Sequence, residues 1–91
     1  MKTNKNKFMY YVYILINKDK RLYIGYTEDL RRRFKEHNNG LSFATKPYRP
    51  WKLIFYEAYI SKKDAKRREI YLKTTKGRTT IKTMLTETFL M

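Results

Sequence analysis

Residues 8–16 read FMYYVYILI, the longest apolar run in the chain. Nine residues are too few to cross a bilayer, which takes ~20 in a helix. The run is β-branched and aromatic, so residues 10–17 are predicted to form a strand. Such a strand must be covered on at least one face. With 91 residues in all, one domain spanning 1–91 has to cover it. A domain of that size buries only ~60% of the surface its unfolded chain exposes, so the core is modest.

The remaining pattern supplies the cover. LYIGY, residues 22–26, is a second strand, joined to the first by the turn KDKR. Thr27, Glu28 and Asp29 are helix-start residues, with acids at the positive end of the dipole. That helix runs to about Asn38, and Asn39-Gly40 closes it. Residues 41–50 form a loop with two prolines, and WKLIFYEAY, residues 51–59, is a third strand. Ser61 to Asp64 is a capping box that opens a second helix. Gly77 is predicted to break it, and TTIKTMLTETFL forms a third helix with Ile81, Met84, Leu85 and Thr88 on one side. Residues 1–7 are polar and basic and read as a frayed arm reaching to about residue 9. The expected class is α/β (α+β): a three-stranded antiparallel sheet flanked by helices, in the order β-β-α-β-α-α.

Charge narrows the partner. Lys and Arg number 22 against 8 Asp and Glu, a net charge of +14. A polyanion is implied, nucleic acid first and an anionic membrane surface second. No basic amphipathic helix offers the bulky apolar face that membrane docking needs. The basic leader is not followed by an apolar helix and cleavage site, so no signal peptide is read and a cytoplasmic location is expected. The chain has no cysteine, which removes disulfides, thiolate zinc sites and cysteine nucleophiles. With one histidine, any metal must rely on carboxylate, carbonyl and water ligands, which favours magnesium or manganese.

Most cations read as a solvated surface. Arg31, Arg32, Lys35, Lys46, Arg49, Lys52, Lys62, Lys63, Lys66 and Arg67 belong to it, some of them touching phosphates without reading sequence. Tyr48, Arg49 and Trp51 could stack on unpaired bases, although the Trp51 ring is expected to pack at the start of its strand.

Three polar residues do not fit a surface. At 100° per residue, Leu30 and Phe34 define the buried stripe of the first helix, and Arg33 and His37 fall within about 60° of Leu30. The plainer reading is that Arg33 snorkels and His37 hydrogen-bonds at the helix end. On the second helix Glu69 lies between Ala65 and Leu72 on the apolar face, and a desolvated carboxylate needs a cation or a metal. It is either an ion pair with Arg33 or Arg68, or a metal-binding carboxylate beside a phosphate-binding arginine. In the hairpin, pairing Leu15 with Tyr23 places Tyr13 opposite Gly25, whose missing side chain leaves room for something to approach. Both tyrosines read equally well as amphipathic core.

These residues resemble a family. From about Tyr10 to Gly77 the chain is similar to GIY-YIG nuclease domains, small single-domain bacterial members above all. YIG stands intact at Tyr23, Ile24 and Gly25, and Tyr11-Val12-Tyr13 stands in place of Gly-Ile-Tyr. Arg33, His37 one turn later, and Glu69 in DAKRRE match the family's arginine, histidine and metal-binding glutamate. Two features depart: Tyr11 replaces a glycine, and no asparagine follows Asn39 to match the family's asparagine beyond the glutamate helix. The resemblance implies a metal-dependent DNA endonuclease hydrolysing phosphodiester bonds, with Mg2+ or Mn2+ and double-stranded or branched DNA, in repair or recombination. It implies catalytic roles for Tyr13, Tyr23, Arg33, His37 and Glu69, with Glu69 the metal ligand. Gly25, Arg31, Arg32, Lys46 and Arg49 are expected to contact nucleic acid. Arg33 would hold the phosphate. Tyr13 would be the base or orient water, its pKa lowered by Arg33 and the metal, with Tyr23 or His37 sharing the task. Targeting would come from the chain's own charge or from a protein partner, and a monomer is expected. The alternatives are a nucleic-acid-binding module without catalysis and an accessory subunit.

Overall fold

The computed structural model describes residues 8–91, so the expected arm at 1–7 lies outside the described residues. The elements are β1 (Tyr10–Ile16), β2 (Leu22–Thr27), α1 (Leu30–Asn38), β3 (Lys52–Tyr59), α2 (Lys62–Leu72), α3 (Thr75–Met84) and α4 (Thr86–Phe89), with one 3-10 turn at Lys46–Tyr48. The sheet is antiparallel in the order β2-β1-β3.

The apolar run therefore forms the central strand, which explains its lack of a polar face. Val12 and Ile14 point to one side, where they meet Ile24, Ala65 and Leu72 of α2 and Ile81 of α3. Tyr13 and Leu15 point to the other, where they meet Trp51, Tyr23, and Leu30 and Phe34 of α1. The expected packing of the Trp51 ring holds, with its indole N–H donating to the Thr45 carbonyl at 3.0 Å. Tyr13 pairs with Gly25 and Leu15 with Tyr23, the register in which both tyrosines share one face.

Local chemistry sets the ends of α1. The Asp29 side chain caps its first turn by accepting from the Arg32 amide. Gly40 takes a positive φ of 78°, and the Gly40 and Leu41 amides bond back to the His37 and Glu36 carbonyls. That is a Schellman closure, which needs a residue without a Cβ penalty at this point.

Gly77 does not break a helix. The break falls at Lys73 and Thr74, where the Thr74 hydroxyl accepts from the Gly77 amide and caps α3. Gly77 sits in the first turn of α3 because the end of α2 leaves it no room. A Cβ there would overlap the Tyr71 carbonyl oxygen and lie 2.5 Å from the Leu72 Cα. Helix propensity alone favours alanine over glycine by about 1 kcal/mol. Gly77→Ala is nevertheless expected to destabilise the fold by about 1–3 kcal/mol, because backbone must move to admit the methyl. Urea denaturation checks this, and a more stable variant would show that the elbow yields freely.

Candidate active site

Three elements meet on the α1 side of the sheet. Tyr13 projects from β1 across Gly25, so closely that an added Cβ at Gly25 would strike the phenol ring. The gap at Gly25 thus admits no outside partner. Tyr13 itself fills it, and Gly25 is buried rather than available to nucleic acid.

His37, from the last turn of α1, is fully buried. Its Nε2 lies 2.7 Å from the Tyr13 hydroxyl, and its Nδ1 lies 2.7 Å from the Thr45 hydroxyl. Thr45 can also donate to the Ser42 carbonyl at 3.5 Å. One tautomer gives every proton an acceptor. In it Nδ1–H donates to Thr45, and Nε2 accepts from Tyr13 O–H. The Tyr23 ring stands edge-on to His37 at a centroid distance of 4.9 Å and lies 6.2 Å from the Tyr13 ring.

Burial governs the acidity of this pair. Desolvation pushes the Tyr13 phenol well above its ordinary value, and neighbouring Tyr23 adds to that. Arg33 lowers it as expected, through a hydrogen bond and its positive charge, but burial is the larger effect. Desolvation, then the Arg33 charge, lowers His37 from 6.5 to about 4. At neutral pH both rings are uncharged.

Arg33 borders the pair. It donates to Glu36 at 2.9 Å and to the Ser42 hydroxyl at 3.4 Å. It does not pair with Glu69. The Glu69 carboxylate is 14% exposed and is held within its own helix by Lys73 at 3.0 Å and Lys66 at 3.8 Å. Arg68 is engaged elsewhere, donating twice to Glu57 on β3. Both expected partners of Glu69 are thus replaced by lysines one helical turn away, whose long stems reach it without crossing the sheet. Glu69 makes no hydrogen bond to Tyr13, Tyr23, Arg33 or His37, although its negative charge is felt at the Tyr13 phenol. Arg31, Arg32, Lys46 and Arg49 are exposed, as a solvated basic surface requires.

The structure therefore gathers Tyr13, Tyr23, Arg33 and His37 tightly and leaves Glu69 at a remove on α2. Thr45, Ser42 and Glu36 complete the cluster, and no pattern in the sequence announces the first two. A cavity of about 590 Å³ near the start of α1 is lined by Tyr11, Tyr56, Leu30, Phe34, Arg31 and the carboxylates of Glu28 and Asp29, and by none of Tyr13, Tyr23, Arg33 and His37.

A tyrosine over the YIG glycine, bonded to a histidine one turn behind an arginine, is a specific arrangement. The model of the GIY-YIG catalytic domain matches residues 9–82. This chain belongs to the GIY-YIG family. Its relatives include UPF0213 protein CPE1444 of Clostridium perfringens, 46% identical over 66 residues that cover 71% of each chain. UPF0213 protein YazA of Bacillus subtilis is 42% identical over 74 residues, covering 80% of this chain and 71% of that one. The solution NMR structure of UPF0213 protein BH0048 from Bacillus halodurans superposes with a TM-score of 0.55 at 34% identity, over 85% of both chains. The GIY-YIG fold is a nuclease fold, and a nucleic-acid partner suits it. No helix among the described residues is long and apolar enough to cross a membrane.

GIY-YIG nuclease chemistry implies a divalent ion, and the donors here fit one only in a limited way. Among the described residues no three His, Asp or Glu side chains stand together. A single carboxylate suits magnesium, which keeps several waters and shares substrate phosphates. The half-exposed lysines on Glu69 form surface pairs worth about 0–1 kcal/mol each, so a cation can displace them.

Proposed function

We propose that this chain is a metal-dependent DNA endonuclease. The observation that carries the reading is the neutral Tyr13–His37 pair with Arg33 beside it. Hydrolysis needs a water that loses a proton, a phosphate whose charge is met, and a leaving oxygen that is stabilised.

Arg33 meets the phosphate. Its nitrogens hold Glu36 and Ser42 and reach the Tyr13 hydroxyl, and the donors left of its five can meet a phosphate. Tyr13 orients the attacking water and takes its proton while passing its own along the 2.7 Å bond to His37 Nε2. Thr45 holds the imidazole in the tautomer that can receive it. The hydroxide oxygen bonds to phosphorus, the bond to the leaving oxygen breaks, and that oxygen is protonated from solvent. Glu69 would hold the divalent ion, which supplies positive charge to the leaving oxygen when bound.

A phosphate also tunes the base. The Arg33 charge is one cause of the low His37 pKa, and a phosphate on Arg33 offsets it. His37 is therefore a poor proton acceptor in the free protein and a better one beside substrate. Tyr23 is half-buried and packs edge-on to His37, which limits water at the pair.

The test is direct. Purified protein is incubated with linear, nicked and branched DNA in magnesium, in manganese and in EDTA. Cleavage that requires the ion is the expected result. DNA that is bound but uncut on every substrate, with either ion, would leave a binding module and end the enzymatic reading.

A further inference from the structure

The loop after α1 inverts the ordinary rule for loops. Its apolar residues face water: Phe43 is 95% exposed and Leu41 is 70% exposed. Its polar residues Ser42 and Thr45 are buried. Scattered surface leucines need no explanation. Here, however, two large side chains flank one buried serine on a tip that is firmly held. The Leu41 amide bonds to the Glu36 carbonyl at 2.9 Å, the Lys46 amide to the Ser42 carbonyl at 2.9 Å, and the Trp51 indole to the Thr45 carbonyl at 3.0 Å. Ser42 and Thr45 are also the residues that touch Arg33 and His37. Side chains that face outward and side chains that complete the cluster are thus interleaved along one short segment.

The surroundings indicate the occupant. From His37 to Tyr56 the sequence has no carboxylate, while Lys46, Arg49 and Lys52 lie within it. An acid-free cavity of about 550 Å³, lined by Asn38, Lys46, Pro47, Arg49 and Pro50, opens in the same loop. An apolar tip inside a wholly cationic stretch complements a polyanion that carries flat apolar groups.

We propose that Phe43, assisted by Leu41, is a wedge that enters an opened base step of DNA while Lys46 and Arg49 hold the flanking phosphates. Apolar side chains inserted between base steps unstack and kink a duplex. Aromatic rings also stack on unpaired bases whatever their sequence. The wedge therefore favours DNA whose bases are already unstacked, at a branch or bubble, because the unstacking is then done beforehand. Through Ser42 and Thr45 it sets the bound strand next to Arg33 and His37. The inference takes its partner from the proposed function, and it concerns which DNA the site selects.

Binding measured in EDTA, without turnover, tests it. Wild type, Phe43→Ala and Phe43→Trp are titrated with a fully paired duplex and with a duplex of equal length carrying a central bubble with 2-aminopurine. Wild type is expected to prefer the bubble. Phe43→Ala should lose roughly tenfold in affinity for the bubble and little for the duplex, with its melting temperature unchanged. Phe43→Trp should restore the preference, and its added indole fluorescence should be quenched by the bubble. Equal affinities of wild type and Phe43→Ala for the bubble, or equal losses on both DNAs, would overturn the wedge. So would a drop in melting temperature, which would mean that Phe43 packs. Ion-dependent cleavage with no Phe43 effect removes the wedge alone, whereas no binding to either DNA removes it together with the nuclease reading.

Discussion

Arg33→Ala and Glu69→Ala are each expected to slow DNA cleavage by roughly 10³-fold while the fold stands. The fold should stand because both side chains are held mainly by local, partly exposed pairs, to which Arg33 adds a 3.4 Å bond to Ser42. Arg33 meets Glu36 at i,i+3, and Glu69 meets Lys66 and Lys73 at i,i+3 and i,i+4. Pairs of that kind contribute about 0.2–0.5 kcal/mol each. The chemical loss is larger because Arg33 meets charge that develops on the phosphate, and Glu69 would hold the ion that meets charge on the leaving oxygen. Binding in EDTA separates their roles. Arg33→Ala loses a phosphate contact and should bind DNA more weakly. Glu69→Ala removes a negative charge and should bind as well as wild type or better. Either variant cutting at the wild-type rate would refute its assigned role. Equal weakening of DNA binding in both would point to a disturbed surface rather than a site.

What the sequence disclosed and what it hid divide along physical lines. The face of each strand residue was legible because side chains alternate with a period of two. The register stayed conditional on the pairing of Leu15 with Tyr23, which the sheet adopts. The direction of Arg33 and His37 was legible because helical period fixes which face a residue shares. A helical wheel does not fix reach. Glu36 lies one turn beyond both Arg32 and Arg33, and its carboxylate reaches the two of them. Lysines one turn from Glu69 satisfy it before any cation across the sheet can. Gly77 misled because glycine is both a helix breaker and the only residue that fits a close backbone contact, and sequence alone does not separate the two. Thr45 was out of reach altogether. A threonine in an irregular loop becomes a buried partner of His37 only once the Schellman turn at Gly40 has aimed that loop. Burial also reversed one expectation. Proximity to Arg33 suggested a more acidic Tyr13, but desolvation is the larger effect.

That desolvation gives His37 a measurable signature in stability. Its pKa is 6.5 in an ordinary setting and about 4 in the fold. The unfolded chain therefore binds a proton between those values that the native state refuses. Stability from this residue is fully present above pH 6.5 and is lost as pH falls toward 4. The span corresponds to about 3 kcal/mol. Near the ring only the Glu36 carboxylate opposes this shift, and burial and the Arg33 charge outweigh it across that range. The Tyr13 phenol is shifted away from it, Arg33 stays charged, and Thr45 does not titrate. Urea denaturation in steps from pH 7.5 to 4.5 should show the wild type weakening steadily below 6.5. His37→Gln should begin less stable, since Tyr13 and Thr45 lose their shared partner, yet change much less over the same interval. A wild type as stable at pH 4.5 as at 7.5 would mean that water reaches the imidazole. The buried, neutral Tyr13–His37 pair could not then be the resting state from which proton transfer starts.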